Sequence, residues 1–230
     1  AAATQAFPDK QVIVHHDYAA QAANSATETP TLEAVCTSLK RIVSSTQSKD
    51  TVLFYFSGHG ELEPGSQQVF LCLADTQKDN LLSTGLGMSK LLQMLNHCHA
   101  HQQMVWLDAC HSGGMTLKGV KGESATETFT NPTSKLLELL RQQAAQSQGF
   151  YAILSCDKDE LSREFPELGY GLFTYYLRLG LLGEAADEQG VIDADGLYHY
   201  VYNQTRKYIE RKNQQIRLFN QQQRTRGETK

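Results

Sequence analysis

An α/β fold, with a mostly parallel central sheet and helices on both faces, is what this chain of 230 residues predicts. Two observations carry that expectation. Apolar runs rich in Val, Ile, Phe and Tyr, only weakly alternating, recur at 12–15, 51–57, 68–73, 103–109 and 149–156, as strands buried on both faces do. Segments with helical spacing separate them, and strands that alternate with helices pack as a sheet covered by those helices. With 40% hydrophobic and 20% charged residues and no internal repeat, one globular domain over 1–230 is the simplest organisation.

Each element has its own signal. The run at 12–15 is the first strand. Thr29-Pro30 then opens a helix whose residues Leu32, Val35, Cys36, Leu39 and Val43 share one face. The strand at 51–57 is expected to stop at a small-residue turn, Gly58-His59-Gly60, and the strand at 103–109 at a second one, Cys110-His111-Ser112-Gly113-Gly114. Residues 115–130 hold almost no large apolar side chain and are expected to form an exposed loop prone to nicking. Asn131-Pro132 starts the next helix, with Leu136, Leu137, Leu140 and Ala144 on one face; the strand at 149–156 follows, and Leu197, Tyr200, Val201 and Tyr208 form a last helical stripe.

The chemistry sits at the two turns. One offers a thiol, Cys110, and the other an imidazole, His59, at strand ends of the kind that build active sites in parallel sheets. A His within hydrogen-bond reach of a thiol accepts its proton, the thiolate attacks a carbonyl, and the imidazolium protonates the leaving amine. Free backbone N–H groups after the strand bind the oxyanion and favour the thiolate. Asp108, two residues before the thiol, is placed to pair with a substrate Arg or Lys, Arg being favoured because its planar fork gives a carboxylate two hydrogens; a buried acid that only orients local backbone is the alternative. His111 adjoins Cys110, but neighbours in an extended segment point apart, so it is not taken as the base.

The segment Leu107-Asp108-Ala109-Cys110-His111-Ser112-Gly113-Gly114, read with Phe54-Tyr55-Phe56-Ser57-Gly58-His59-Gly60 upstream, closely resembles the caspase-like peptidases, and within them the metacaspases and prokaryotic orthocaspases. Ala152-Ile153-Leu154-Ser155-Cys156-Asp157 and Gly171-Leu172-Phe173-Thr174-Tyr175-Tyr176-Leu177 extend the resemblance to that family's smaller subunit. It implies a caspase-like three-layer sandwich, large-subunit-like over about 1–118, an exposed linker and helix at 119–148, and small-subunit-like over 149–230. It implies Cys110 as nucleophile, His59 as acid and base, the Gly60 and Cys110 amides as oxyanion hole, and Ser57 beside Asp108 in a pocket for basic residues, with Asp157 contributing to substrate recognition. Self-cutting in the linker would fall at Lys118 or Lys121.

The family usually opens with a strand and an acidic turn that supply the sheet's central strand and a second pocket acid, whereas this chain starts at Ala1-Ala2-Ala3. The resemblance thus implies a processed piece or omitted preceding residues, and an N-terminal fragment of the same protein as an associated partner. Calcium, which many metacaspases need, would have only Glu61, Glu63, Asp75 and Asp79 in 61–86, so calcium dependence is not expected, and no cofactor is required. His97-Cys98-His99-Ala100-His101 has metal-ligand side chains, but on a helix they splay around most of a turn; a helix end is expected there and no metal.

A net charge of −4 argues against nucleic acid as the main partner, the basic tail at 206–230 being read as a solvated helix end. No run spans a bilayer and no charged-then-apolar leader opens the chain, so neither membrane nor export is expected and the compartment is cytoplasmic. Five cysteines, mostly within apolar stretches, suit reduced thiols. Protein or peptide substrates and a monomer complete the expectation. A catalytically silent interaction module of the same homology and a separase-like or other peptidase of the same fold are the alternatives.

Overall fold

The computed structural model describes residues 11–17, 29–109, 132–155, 165–168 and 171–227. They fall in two compact units, one within 11–162 and one within 163–230.

In the first unit, helix α1 (Leu32–Ser45) starts where its sequence sets a cap: Thr31 Oγ1 accepts the Ala34 N–H at 3.3 Å, and the Asp75 carboxylate accepts the Leu32 N–H at 2.9 Å. Then come β1 (Thr51–Glu63), β2 (Gln68–Cys72), a 3₁₀ turn (Lys78–Asn80), α2 (Leu81–Thr84), β3 (Leu86–Gly87), α3 (Met88–Asn96), β4 (Gln102–Ala109), α4 (Pro132–Gln146) and β5 (Phe150–Leu154). The sheet order is β3-β2-β1-β4-β5. Pairing is parallel between β1 and β4 and between β4 and β5, and antiparallel between β1 and β2 and between β2 and β3. The longest ladder is parallel, joining Thr51–Gly58 to Gln102–Ala109.

Three expectations change. Residues 12–15 are not a strand: 11–16 have no regular secondary structure, with Val12 and Val14 half exposed. Their apolar side chains set a local preference, but a strand needs a ladder partner, and His15 instead hydrogen-bonds Ser38 of α1 through Nε2 at 2.8 Å. The second change is at Gly58-His59-Gly60, which is strand and not turn. β1 runs on to Glu63, and the turn falls at Pro64-Gly65, where the Glu63 carboxylate accepts the Gly65 and Ser66 N–H groups and Gln67 takes a left-handed φ of 55°. Thirdly, Ala144 of α4 is exposed; Gln143 is the buried residue on the Leu136 and Leu140 face, its amide satisfied by Asn96 of α3.

One face of the sheet carries the core. Val52, Leu62, Val69, Leu71, Val105, Leu107 and Phe150 pack with Leu39 of α1, Leu91 and Leu95 of α3, and Leu136 and Leu140 of α4. The start of the β4–β5 ladder is pinned by Gly149, whose φ is 83° and whose carbonyl accepts the Gln103 N–H at 2.9 Å; a Cβ there would stand 2.2 Å from the His101 carbonyl oxygen. Only glycine meets both demands.

In the second unit, α5 (Leu172–Leu179) buries Leu172, Phe173, Tyr176 and Leu177, runs into a π-type turn (Gly180–Glu184), and packs on α6 (Ala194–Gly227) through Leu197 and Val201. Gly180 marks the closest approach, since a Cβ there would lie 2.7 Å from Leu197 Cδ1. Tyr208 of α6 stacks edge-on against Phe165 at 4.9 Å and donates its hydroxyl to Glu167 at 2.9 Å. Lys212 lies 2.5 Å from the same carboxylate. The hydrogen bond from Lys212 is the main reason that the Glu167 carboxyl is held down to about 2.

Two outcomes are expected. Gly149→Ala should lower stability by about 2 kcal/mol or more, because it combines a strained φ with a backbone clash; the urea midpoint measures this. Because Glu167 titrates lower folded than unfolded, its ionised form stabilises at neutral pH, and that contribution fades as pH falls from about 4.5 towards 2. The melting temperature of Glu167→Gln should therefore lie below that of the parent at pH 7, with the gap narrowing below about pH 4.5 and closing towards about pH 2; a gap that is constant across pH would contradict the pairing.

Candidate active site

A strand alternates its side chains between faces, and β1 sends Val52, Phe54, Phe56 and Leu62 to the core. Tyr55, Ser57, His59 and Glu61 therefore share the opposite face, with Tyr55, Ser57 and His59 exposed and Glu61 partly buried. Paired residues in a parallel ladder point to the same side. Ser57 is the Cα partner of Asp108, and Tyr55 of Trp106, so those β4 side chains join this face. Asp108 is 5% exposed, whereas Ser57 beside it is open to solvent. The sequence-derived pair Ser57 and Asp108 is thus brought together, next to His59.

The parallel ladder ends at Gly58 and Ala109. From His59 onward β1 pairs antiparallel with β2, His59 facing Cys72 and Gly60 facing Leu71. Gly58 has a packing reason of its own, since a Cβ there would stand 2.8 Å from the Phe56 ring. Gly60 is buried beside Ala109 and Phe70. Cys110, Asp157, Lys118 and Lys121 lie outside the described residues, as do His111 and the 115–130 segment.

Extending β1 past Gly58 reveals two side chains that sequence reasoning did not assign to this face. Cys72 is the cross-strand partner of His59, and burial, reinforced by the nearby Glu61 carboxylate, pushes its thiol up to about 11. A thiol so placed stays protonated at neutral pH and is not a nucleophile. Cys36 and Cys98 are free and buried. Glu61 is the other, 3.7 Å from Lys78. The alternation His59, Glu61 was present in the sequence and was hidden only by placing a turn at Gly60.

The His97–His101 segment is not helical. α3 ends at Asn96, His97 Nδ1 donates to the Gln93 carbonyl at 2.7 Å, and Cys98 is buried with its sulfur 3.0 Å from Thr46 Oγ1. Nowhere among the described residues do three His, Cys, Asp or Glu side chains converge as a metal site. Glu63 and Asp75 are taken up by backbone N–H groups, and no described helix is long and apolar enough to cross a membrane.

The model of one family, described as the caspase domain of peptidase C14, matches residues 10–225. The chain belongs to the caspase domain family. Its mixed sheet, with the two long parallel pairings and the surrounding helices, is an α/β arrangement of that fold, and the family is one of cysteine peptidases. Among solved structures, the chain is similar to the crystal structure of a Geobacter sulfurreducens protein determined as a structural genomics target. That similarity has 18% identity and a TM-score of 0.47, covering 80% of this chain and 75% of the other. No curated protein matches the chain.

For this caspase-domain protein the thiol inventory gives a direct check. At pH 7 iodoacetamide should modify Cys72 at least about 100-fold more slowly than an ordinary exposed cysteine, and Cys36 and Cys98 only after unfolding. Peptide mapping by mass spectrometry reads this, and rapid labelling of Cys72 in the folded protein would contradict its raised pKa.

Proposed function

We propose that this caspase-domain protein is a metacaspase- or orthocaspase-type cysteine endopeptidase that cuts peptide bonds after Arg, and less readily after Lys, using Cys110 as nucleophile and His59 as acid and base. The single observation that carries the reading is the register of β1 and β4. Their ladder ends at Gly58 and Ala109, the residues immediately before His59 and Cys110 in the sequence. Strands in such a ladder lie about 4.8 Å apart, which supports a reading in which imidazole and thiol come within reach for proton transfer.

In the proposed cycle the Cys110 thiol gives its proton to His59, and the sulfur attacks the carbonyl carbon of the scissile bond. The resulting oxyanion accepts the Gly60 and Cys110 N–H groups. Collapse of this intermediate expels the amine, which takes the proton from His59, and leaves a thioester. Water then attacks the thioester with His59 as base, and the sulfur leaves as thiol. Ser57 and Asp108, side by side in the ladder, form the pocket for the residue before the cut, where a guanidinium bonds both carboxylate oxygens. Asp157, which follows β5, is assigned to substrate recognition, and Lys118 and Lys121 to self-cutting. Of the four acids at 61–86, Glu63 and Asp75 are already engaged by backbone N–H groups, which supports activity that does not depend on calcium at that place.

The test is hydrolysis of matched fluorogenic peptides ending in Arg, Lys or Asp, with and without calcium. Arg should be cut best and Asp not at all, and Cys110→Ala should lower the rate by about a thousandfold or more. Asp108→Asn should reduce kcat/KM for Arg by about 10- to 100-fold, the range expected for losing a hydrogen-bonded charge. Absence of cleavage of every peptide would favour a silent module of the same fold.

A further inference from the structure

Beyond the pocket for the residue before the cut, the face that holds His59 carries a second acid. Along β1 the exposed-face residues run Ser57, His59, Glu61 at about 6.7 Å per step. Ser57 and its partner Asp108 lie on one side of His59, and Glu61 lies on the other. His59 delivers its proton to the departing amine. The chain beyond the scissile bond therefore leaves from the His59 position, on the side away from Asp108, where Glu61 stands.

Glu61 is not a satisfied structural acid. Its carboxylate is engaged by Lys78 at a loose 3.7 Å, and the Lys78 side chain is 81% exposed while that of Glu61 is 21% exposed. A lysine so exposed gives up little when it swings into water, because exposed ion pairs are weak and held at a cost in side-chain entropy. A half-buried carboxylate gains more from a new partner than a fully solvated one does, because less water screens the pair. Glu63, the next residue on this face, is by contrast occupied, its carboxylate accepting the Gly65 and Ser66 N–H groups of the turn.

We propose that Glu61 is a specificity residue on the leaving-group side of the site, recognising a Lys or Arg at the first or second substrate position after the scissile bond by displacing Lys78. This rests on the reading of Cys110 and His59 as the reacting pair. The inference makes Lys78 an internal competitor, so the two residues have opposite effects. Substrates in which basic residues stand on both sides of the cut bond would be favoured, one cation going to Asp108 and the other to Glu61.

The experiment compares two internally quenched peptides identical up to an Arg, one continuing with Lys-Lys and the other with Glu-Glu, alongside an Arg aminocoumarin amide that has no residues after the bond. The parent protein should show a kcat/KM ratio of about three- to fivefold or more in favour of Lys-Lys, the size of effect expected for a partly exposed ion pair. The ratio should fall as salt rises from 0.05 to about 0.5 M, where screening is stronger. Glu61→Gln should bring the ratio close to one, and Lys78→Ala should raise it while leaving aminocoumarin hydrolysis unchanged. A parent ratio near one, a ratio that survives Glu61→Gln, or a Lys78→Ala ratio equal to the parent's would overturn the role of Glu61. Failure to hydrolyse the aminocoumarin amide would instead overturn the reading of the reacting pair, and this inference with it.

Discussion

β1 serves two ladders in succession, and the arrangement of the site depends on where it changes from one to the other. Up to Gly58 its backbone is tied to β4; from His59 it is tied to β2. The exchange lets the strand continue as extended backbone through the position where parallel pairing with β4 stops. His59 is therefore mounted on a strand held by hydrogen bonds on both flanks of the exchange, not on a loose turn. A rigid mount keeps a side chain oriented without a loop having to order first. The two glycines fit the exchange in different ways, Gly58 by leaving space for the Phe56 ring and Gly60 by sitting buried beside Ala109.

Much of this was legible in the sequence, and the exceptions have local causes. The runs that became β1, β2, β4 and β5 are dense in β-branched and aromatic residues and have paired neighbours, so pattern and tertiary structure agree. The helix start at Pro132 follows from proline chemistry, whereas α1 is capped by Thr31, just past the Thr29-Pro30 signal. What misled was punctuation. Gly58-His59-Gly60 has the composition of a turn, but the Pro64-Gly65 signal four residues on is the stronger one, and glycine in a strand also marks a close backbone approach. Residues 12–15 show the converse error, a strand pattern without a partner. Gln143 was passed over for Ala144 because a buried amide is expected only when its partner is known, and Asn96 lies on another helix.

At the site, His59, Ser57 and Asp108 could be named from motif and spacing, since each sits at or near the end of an apolar run. Cys72 could not, because its relation to His59 arises from a hairpin whose register is set by the Glu63 turn, whereas Glu61 follows from strand alternation once β1 runs past Gly60. Burial, reinforced by the Glu61 carboxylate, keeps the Cys72 thiol protonated and so leaves one fewer reactive sulfur beside the imidazole. The pairing of Glu167 with Lys212 and Tyr208 is of another kind, a surface clamp on α6 that stabilises its own unit.

Gly149 sits at the far end of the β4–β5 ladder from Asp108, about 20 Å away along a strand at ordinary rise. A slip of one residue at that end would turn every β5 side chain to the wrong face and would move the Ser155 N–H off the Leu107 carbonyl that it now meets at 2.9 Å, immediately before Asp108. The glycine thus works as a datum, the fixed point from which the position of Asp108 is measured along the sheet. Damage at this datum would surface as a displaced carboxylate, at a distance where nobody surveying Asp108 would look for its origin.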